Sequence, residues 1–385
     1  MFRALASLVA SLALAAQAAA LETRATSAWI YDQTTGTVLL SKNAEEPLPP
    51  ASMSKIMTLY MAFEAIRDGR LTLDEELPVS EHAMSFGGST MFLDTTDRVR
   101  VEDLIRGIIV QSGNDACVVI AEALSPDGTE AGFARAMTER GKALGLTSST
   151  FMNSTGWPQA GHRMSMRDLG IVAERLIVDF PTFYPLFAEE EFAFDGRAPA
   201  NTRNRNPVLG MGIGGDGLKT GHTREAGYGL VGSAKQGDRR IIWVINGLDS
   251  AQARAEESTR IVNWAFRQFE ARTVAEEGSV VARAEVWDGA EQGVDLVVGE
   301  NVRLLVPALH TGPVEAEAVY RSPIEAPVAA GDPLGELVIT LDGLPERRVP
   351  LVAARDVPDG GFTARMRIAT QVLLRQVAGA AESAL

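Results

Sequence analysis

An apolar run with helical spacing, Ile56, Leu59, Tyr60, Phe63 and Ile66, opens on Ser52-Met53-Ser54-Lys55 and stops before Gly69. Pro49-Pro50-Ala51 ends the irregular stretch ahead of it, so Ser52 falls at a helix N-terminus and Lys55 one turn inside. Residues three apart share a helix face, which brings the Lys55 amine within reach of the Ser52 hydroxyl. A serine hydroxyl becomes a nucleophile when a neighbouring base takes its proton, and a lysine serves as that base when burial or a nearby cation lowers its pKa. The positive end of the helix works in the same direction: it disfavours a protonated lysine and favours a developing oxyanion.

The ends of the chain are informative. Arg3, the uncharged apolar stretch Ala4 to Ala16 and the small residues Ala18-Ala19-Ala20 read as a secretory signal peptide over residues 1–20. The stretch is short for a membrane-spanning helix, and no stop-transfer pattern follows. The mature chain is therefore expected outside the cytoplasmic membrane. Cys117 is the only cysteine, so stability must come from core size rather than from an internal disulfide. Set in Ala116-Cys117-Val118-Val119-Ile120, it is expected to be a small buried residue and not a reactive thiol. A net charge of −14 argues against nucleic acid as a general partner. Four histidines and one cysteine show no clustered ligand spacing, so neither a metal nor a cofactor is implied.

Between the ends, periodicity divides the chain. Residues 28–32 and 36–40 read as a β-hairpin, 101–110, 115–124 and 167–179 as helices, and Ser112-Gly113-Asn114 as the turn between the first two of these helices. Strands are expected at 217–221, 229–234 and 240–245, and an amphipathic helix at 256–269. Together these give a mixed α/β domain over 21–273. Short alternating runs at 281–286, 294–297, 302–306, 314–320, 335–341 and 347–352 then predict a small all-β domain over 274–360. Residues 361–385 return to helix, with Phe362, Met366, Ile368, Val372 and Leu373 on an apolar face and Arg365, Arg367 and Arg375 beside it. A cationic amphipathic end on an acidic protein suits the inner-membrane surface, the other reading being a helix packed on its own domain.

Three motifs occur in order: Ser52-Met53-Ser54-Lys55, then Ser112-Gly113-Asn114 about sixty residues later, then Lys219-Thr220-Gly221 about a hundred further on. In this order they resemble the penicillin-interacting serine enzymes, and more closely the type-5 low-molecular-mass penicillin-binding proteins, the serine D-alanyl-D-alanine carboxypeptidases. Pro50 to Thr58, Gln111 to Cys117 and Asp216 to Thr223 carry the likeness. It implies an α/β (α+β) serine β-lactamase/transpeptidase-like domain, followed by the small all-β domain and the C-terminal amphipathic helix. It also implies removal of the terminal D-alanine from peptidoglycan stem pentapeptides, with β-lactam antibiotics as inhibitors.

By that resemblance Ser52 is the nucleophile and Lys55 its base. Ser112 relays a proton to the leaving amine, Asn114 holds the substrate amide and orients Lys55, and Lys219 supports the Ser112 hydroxyl and the local positive field. Thr220, Gly221 and His222 bind substrate, with the Ser52 and His222 N–H groups as an oxyanion hole. Arg205 joins Thr220 at the substrate carboxylate, although Arg203 would face the same way on a strand. His162 and His222 are not needed as bases, and Gly87-Gly88-Ser89-Thr90 is either a loop over the cleft or a plain turn. The rival functions are a β-lactamase, a D,D-endopeptidase and a catalytically silent wall-binding scaffold. Residues 155–162 hold no glutamate of the kind that positions a deacylating water, which speaks against the first.

Overall fold

The structure, a computed structural model, describes residues 21–310, 313–341, 346–362, 366 and 370. The expected signal peptide and nearly all of the expected C-terminal helix lie outside the described residues. The chain forms two compact units that divide between Gln268 and Phe269.

The first unit begins with the antiparallel hairpin β1 (Ser27–Asp32) and β2 (Thr37–Lys42). A 3-10 turn, Ala51–Ser54, runs into α1 (Lys55–Arg67). The small ribbon of β3 (Glu76–Pro78) and β4 (Arg98–Arg100) brackets α2 (Glu81–Met84). Next, α3 (Val101–Arg106) continues into a π turn at Gly107–Gln111, so the expected helix 101–110 is real but changes winding midway. Three helices follow: α4 (Asn114–Leu124), α5 (Glu130–Ala143) and α6 (Met166–Asp179). The unit closes with β5 (Gly215–Thr223), β6 (Gly227–Gln236), β7 (Arg239–Leu248) and α7 (Ala251–Gln268).

Its sheet has the order β2-β1-β7-β6-β5, all antiparallel, which leaves β5 at an edge. Two apolar layers flank it. On one side Ile242, Val244, Val231 and Leu218 join the core around α1, α4 and α6. On the other, Ile30, Trp243, Ile245 and Leu230 pack on Ile261, Val262 and Ala265 of α7. Successive strand residues point to opposite faces, so a sheet covered on both sides reads as nearly continuous apolar sequence, as Ile241-Ile242-Trp243-Val244-Ile245 does. α1 sits deep in the first layer, with Met57, Tyr60 and Phe63 fully buried.

The second unit is all-β: β8 (Phe269–Ala275), β9 (Val280–Trp287), β10 (Gly293–Val298), β11 (Val302–Pro307), β12 (Glu315–Tyr320), β13 (Ile324–Glu325), β14 (Pro333–Thr340) and β15 (Arg347–Ala353). A sheet of order β12-β14-β15-β10-β9-β13 accompanies the β8–β11 pair. The division falls a few residues ahead of the expected 273 because Phe269–Ala275 pairs with Val302–Pro307 instead of ending α7.

Candidate functional site

Ser52 sits in the 3-10 turn that feeds α1. Ala51, just before it, takes a left-handed φ of 50°, a conformation an L residue holds only where its surroundings enforce it. Two glycines supply those surroundings. Gly156 has φ +78°, and a Cβ there would stand 1.9 Å from the Ala51 carbonyl oxygen. Gly221 is on β5, and a Cβ there would stand 2.9 Å from Met53 Cγ and 3.0 Å from the Pro50 carbonyl oxygen. The third residue of Lys-Thr-Gly is therefore glycine because the edge strand closes directly on the turn that carries Ser52.

Lys55 is fully buried. Its amine lies 2.9 Å from Ser52 Oγ, 2.8 Å from Asn114 Oδ1 and 2.6 Å from the Thr155 carbonyl oxygen. Burial is the main cause that lowers its pKa to about 8; the Cys117 thiol opposes the shift and the Arg205 cation adds to it. The amide and carbonyl oxygens can only accept, so a neutral Lys55 turns both N–H groups to them and its lone pair to the Ser52 hydroxyl.

Asn114 opens α4 and is fixed from both sides of its amide: Oδ1 faces Lys55, while Nδ2 donates to the Gly87 carbonyl at 2.8 Å. Its backbone N–H donates to the Ser89 carbonyl at 2.8 Å. Next to it, the buried Asp115 carboxylate accepts from the backbone N–H groups of Met91, Leu93 and Ala116. Burial raises the Asp115 pKa, and these N–H groups work against the rise. The Asn114-Asp115 pair thus fastens residues 87–93, and the glycine-rich segment there is a wall of the cavity that Ser52 lines: Gly88 and Ser89 line it too.

The cavity has a volume of about 730 Å³ and is lined by Ser52, Ser112, Asn114, Thr220, Gly221 and His222, together with Arg205. Ser112 stands in a left-handed conformation at the end of the π turn, φ 62°. Lys219 is buried behind this lining, and its amine donates to the Thr220 carbonyl at 3.2 Å. Among the described residues no hydrogen bond joins Lys219 to the Ser112 hydroxyl, so the direct support expected of it is not made in this structure. Burial lowers its pKa well below the usual lysine value, and Arg205 and Lys55 push the same way.

Arg205 donates to Ser89 Oγ at 3.0 Å and to the Gln111 carbonyl at 2.9 Å. Both Arg203 and Arg205 are exposed residues, but Arg205 lines the cavity and Arg203 does not. His222 is exposed, its ring stacked on Tyr228 at 3.9 Å between centroids. His162 is buried: Nδ1 accepts from the Met152 N–H and Nε2 meets Ser54 Oγ at 2.9 Å. Burial lowers its pKa to about 4, with Lys55 and Arg163 adding to the effect, and the ring packs behind the turn that carries Ser52.

Arg254 escaped the sequence reading. It lies in the first turn of α7, lines the cavity at 6% exposure, and donates to the Arg205 carbonyl at 3.2 Å while its Nε has no partner. Burial and the like charge of Arg205 lower its pKa to about 10. Among the described residues no carboxylate pairs with this cation, and it lies in the first turn of a helix, the end whose partial positive charge favours an anion.

The chain was compared with known proteins on this basis. A family model for D-alanyl-D-alanine carboxypeptidase matches residues 14–250, and one for the penicillin-binding protein 5 C-terminal domain matches residues 269–359. The D-alanyl-D-alanine carboxypeptidase DacC of Escherichia coli is 36% identical over 349 residues, 88% of this chain and 86% of that protein. DacF of Bacillus subtilis is 34% identical over 345 residues, 88% of this chain and 87% of that protein. Penicillin binding protein 5 from Haemophilus influenzae superposes with a TM-score of 0.81 at 31% identity, covering 88% of this chain and 98% of that one. Both units are thus accounted for, and the chain belongs to the D-alanyl-D-alanine carboxypeptidase family as a serine peptidase carrying the penicillin-binding protein 5 type of C-terminal domain.

Proposed function

We propose that Ser52 performs the carboxypeptidase reaction on peptidoglycan stem pentapeptides, with Lys55 as its base. The observation that carries this reading is the Lys55 amine, 2.9 Å from Ser52 Oγ, with its two other contacts being pure acceptors. Lys55 Nζ takes the hydroxyl proton as Oγ attacks the carbonyl of the penultimate D-alanine. The backbone N–H groups of Ser52 and His222 receive the oxyanion. The proton passes through Ser112 to the leaving amine, D-alanine departs, and Lys55 then activates the water that hydrolyses the ester. Asn114 holds the substrate amide, Lys219 adds positive field, and β5 offers its free edge to an extended peptide.

The terminal carboxylate is bound by Thr220, Arg205 and Arg254. Support comes from the Arg254 guanidinium, which lines the cavity without an acidic partner. Among the described residues no carboxylate lines the cavity, which favours a slow-deacylating peptidase over a β-lactamase with a glutamate-positioned water. Acylation by β-lactams follows from the same chemistry; penicillin-binding protein D2 of Listeria monocytogenes, 29% identical over 64% of this chain, has been crystallised with ampicillin. The test is a fluorescent penicillin followed by mass analysis of the labelled peptide. A stable adduct on Ser52, absent with Ser52→Ala, is expected; rapid drug loss without adduct would point to the β-lactamase, and intact drug without adduct to the scaffold.

We also propose export through residues 1–20 and attachment to the outer face of the cytoplasmic membrane through 361–385. Among the described residues there, Phe362 and Met366 are exposed apolar side chains. No helix of the described residues is long and apolar enough to cross a membrane. Deleting 361–385 should release the protein from membranes while peptide hydrolysis continues. Continued pelleting with membranes would refute the anchor.

A further inference from the structure

Arg254 poses a physical problem. It is a buried guanidinium that feels the like charge of Arg205 and whose Nε has no hydrogen-bond partner. A charge in that position needs a feature of opposite polarity to hold it. Among the described residues two such features meet it: the Arg205 carbonyl oxygen at 3.2 Å, and the ring of Tyr228, the one from a side chain, whose centroid lies 5.8 Å from the guanidinium carbon. The face of an aromatic ring carries partial negative charge and attracts a cation.

Tyr228 is itself held in place. It is the register partner of His222 across β5 and β6, and the two rings stack. Its neighbour Gly229 keeps the strand close to β7, since a Cβ there would stand 2.8 Å from Asn246 Oδ1. The ring lines the catalytic cavity together with Arg254. An aspartate or glutamate in its place would hold Arg254 more tightly, but it would neutralise the guanidinium and compete with an incoming carboxylate. A ring face steers the cation and leaves its N–H groups open.

We propose that Tyr228 is a positioning residue: its ring holds Arg254 toward the cavity without neutralising it, keeping the guanidinium free for the terminal carboxylate of the substrate. The proposal rests on the carboxylate role given to Arg254 above. It assigns to β6, which carries none of the three motifs, a part in selecting substrates that end in a free acid.

The test compares Nα,Nε-diacetyl-Lys-D-Ala-D-Ala with its C-terminal amide on the full chain, with active sites counted by penicillin labelling. Tyr228→Leu should raise KM for the acid about tenfold, leave kcat within about twofold, and leave kcat/KM for the amide unchanged. Tyr228→Phe keeps the ring and should hold the acid KM within about twofold of wild type. The proposal is overturned if Phe loses as much as Leu, which would assign the effect to the hydroxyl. It is equally overturned if acid and amide decline together, or if Leu leaves the acid KM unchanged. Arg254→Ala separates the two layers. If it leaves the preference for acid over amide intact, the carboxylate role fails and this proposal with it. If it abolishes the preference while Tyr228→Leu retains it, the positioning role alone fails.

Discussion

The core of the second unit is made of Ala, Val, Leu and Ile alone, from Ala284 and Val286 to Leu351 and Val357. In the first unit, Lys55, Asp115, Glu130, Lys219 and Arg254 are all buried, and among the described residues every polar or charged residue buried as a whole lies at or before Ser258. Burying charge works against folding unless partners compensate. The compensation is partial here: Lys55 has three oxygens around it, Lys219 one, and Arg254 a single carbonyl and a ring. What the contrast teaches is where stability has been surrendered. Among the described residues the aliphatic unit has no such burden, while in the catalytic unit Arg205 disfavours the charged form of Lys55, Lys219 and Arg254 alike.

The largest effect that would break this reading is on acylation. Lys55→Ala should lower the rate of penicillin acylation by about 10²–10⁴-fold. In the wild type, kcat/KM should rise with pH through about 8, since the base must be neutral and burial sets its pKa there. Acylation of Lys55→Ala at the wild-type rate would remove Lys55 from the mechanism.

The opposite unit gives the next effect. Leu351 is fully buried in the aliphatic core, so Leu351→Ala should destabilise that unit by about 2–5 kcal/mol. Turnover of a D-Ala-D-Ala peptide should be unchanged below the new unfolding transition. A parallel loss of kcat would mean that the two cores do not stand independently.

The buried lysine should also leave a mark on stability. The folded pKa of about 8 lies below the ordinary lysine value of 10.5. Between those values the unfolded chain binds a proton that folded Lys55 does not, so stability from this group rises with pH across that window. The rise amounts to about 3 kcal/mol. Cys117 has the opposite sign, because its raised pKa makes the folded state hold a proton the unfolded thiol has lost. Subtracting the Lys55→Met curve, measured by urea unfolding from pH 7 to 11, isolates the lysine. A difference that is flat from pH 8 to 10.5 would show that Lys55 is not desolvated as described.

The catalytic motifs were legible in the sequence because each is a short local spacing, and the strands because their apolar runs are continuous. Arg254 was not. Periodicity alone placed the helix start at residue 256, whereas Ser250 caps it by accepting the Ala253 N–H at 3.0 Å, so α7 begins at Ala251 and its first turn reaches the cavity. The role proposed for Arg254 rests on an unpaired Nε and a place in the cavity lining, which no linear pattern records. α5 was overlooked because Gly132 and Gly141 interrupt its pattern. Gly132 is needed there because a Cβ would stand 1.9 Å from Asp127 Oδ1. β8 adjoins α7 without a turn residue between them, and only its pairing with β11 makes it a strand.

The smallest effect is the sharpest check on whether burial or charge governs this interior. Cys117 feels Lys55 and Lys219, and two cations close to a thiol ordinarily lower its pKa and make it reactive. Burial opposes them and prevails, pushing the thiol up to about 12. Native protein at pH 8 should therefore resist iodoacetamide over hours and label fully once urea unfolds it, while Cys117→Ala retains penicillin labelling on Ser52. Rapid alkylation of the native chain would mean that the field of the two lysines outweighs desolvation. The same inversion would then apply to the lysines themselves, whose lowered pKa values rest on the same burial.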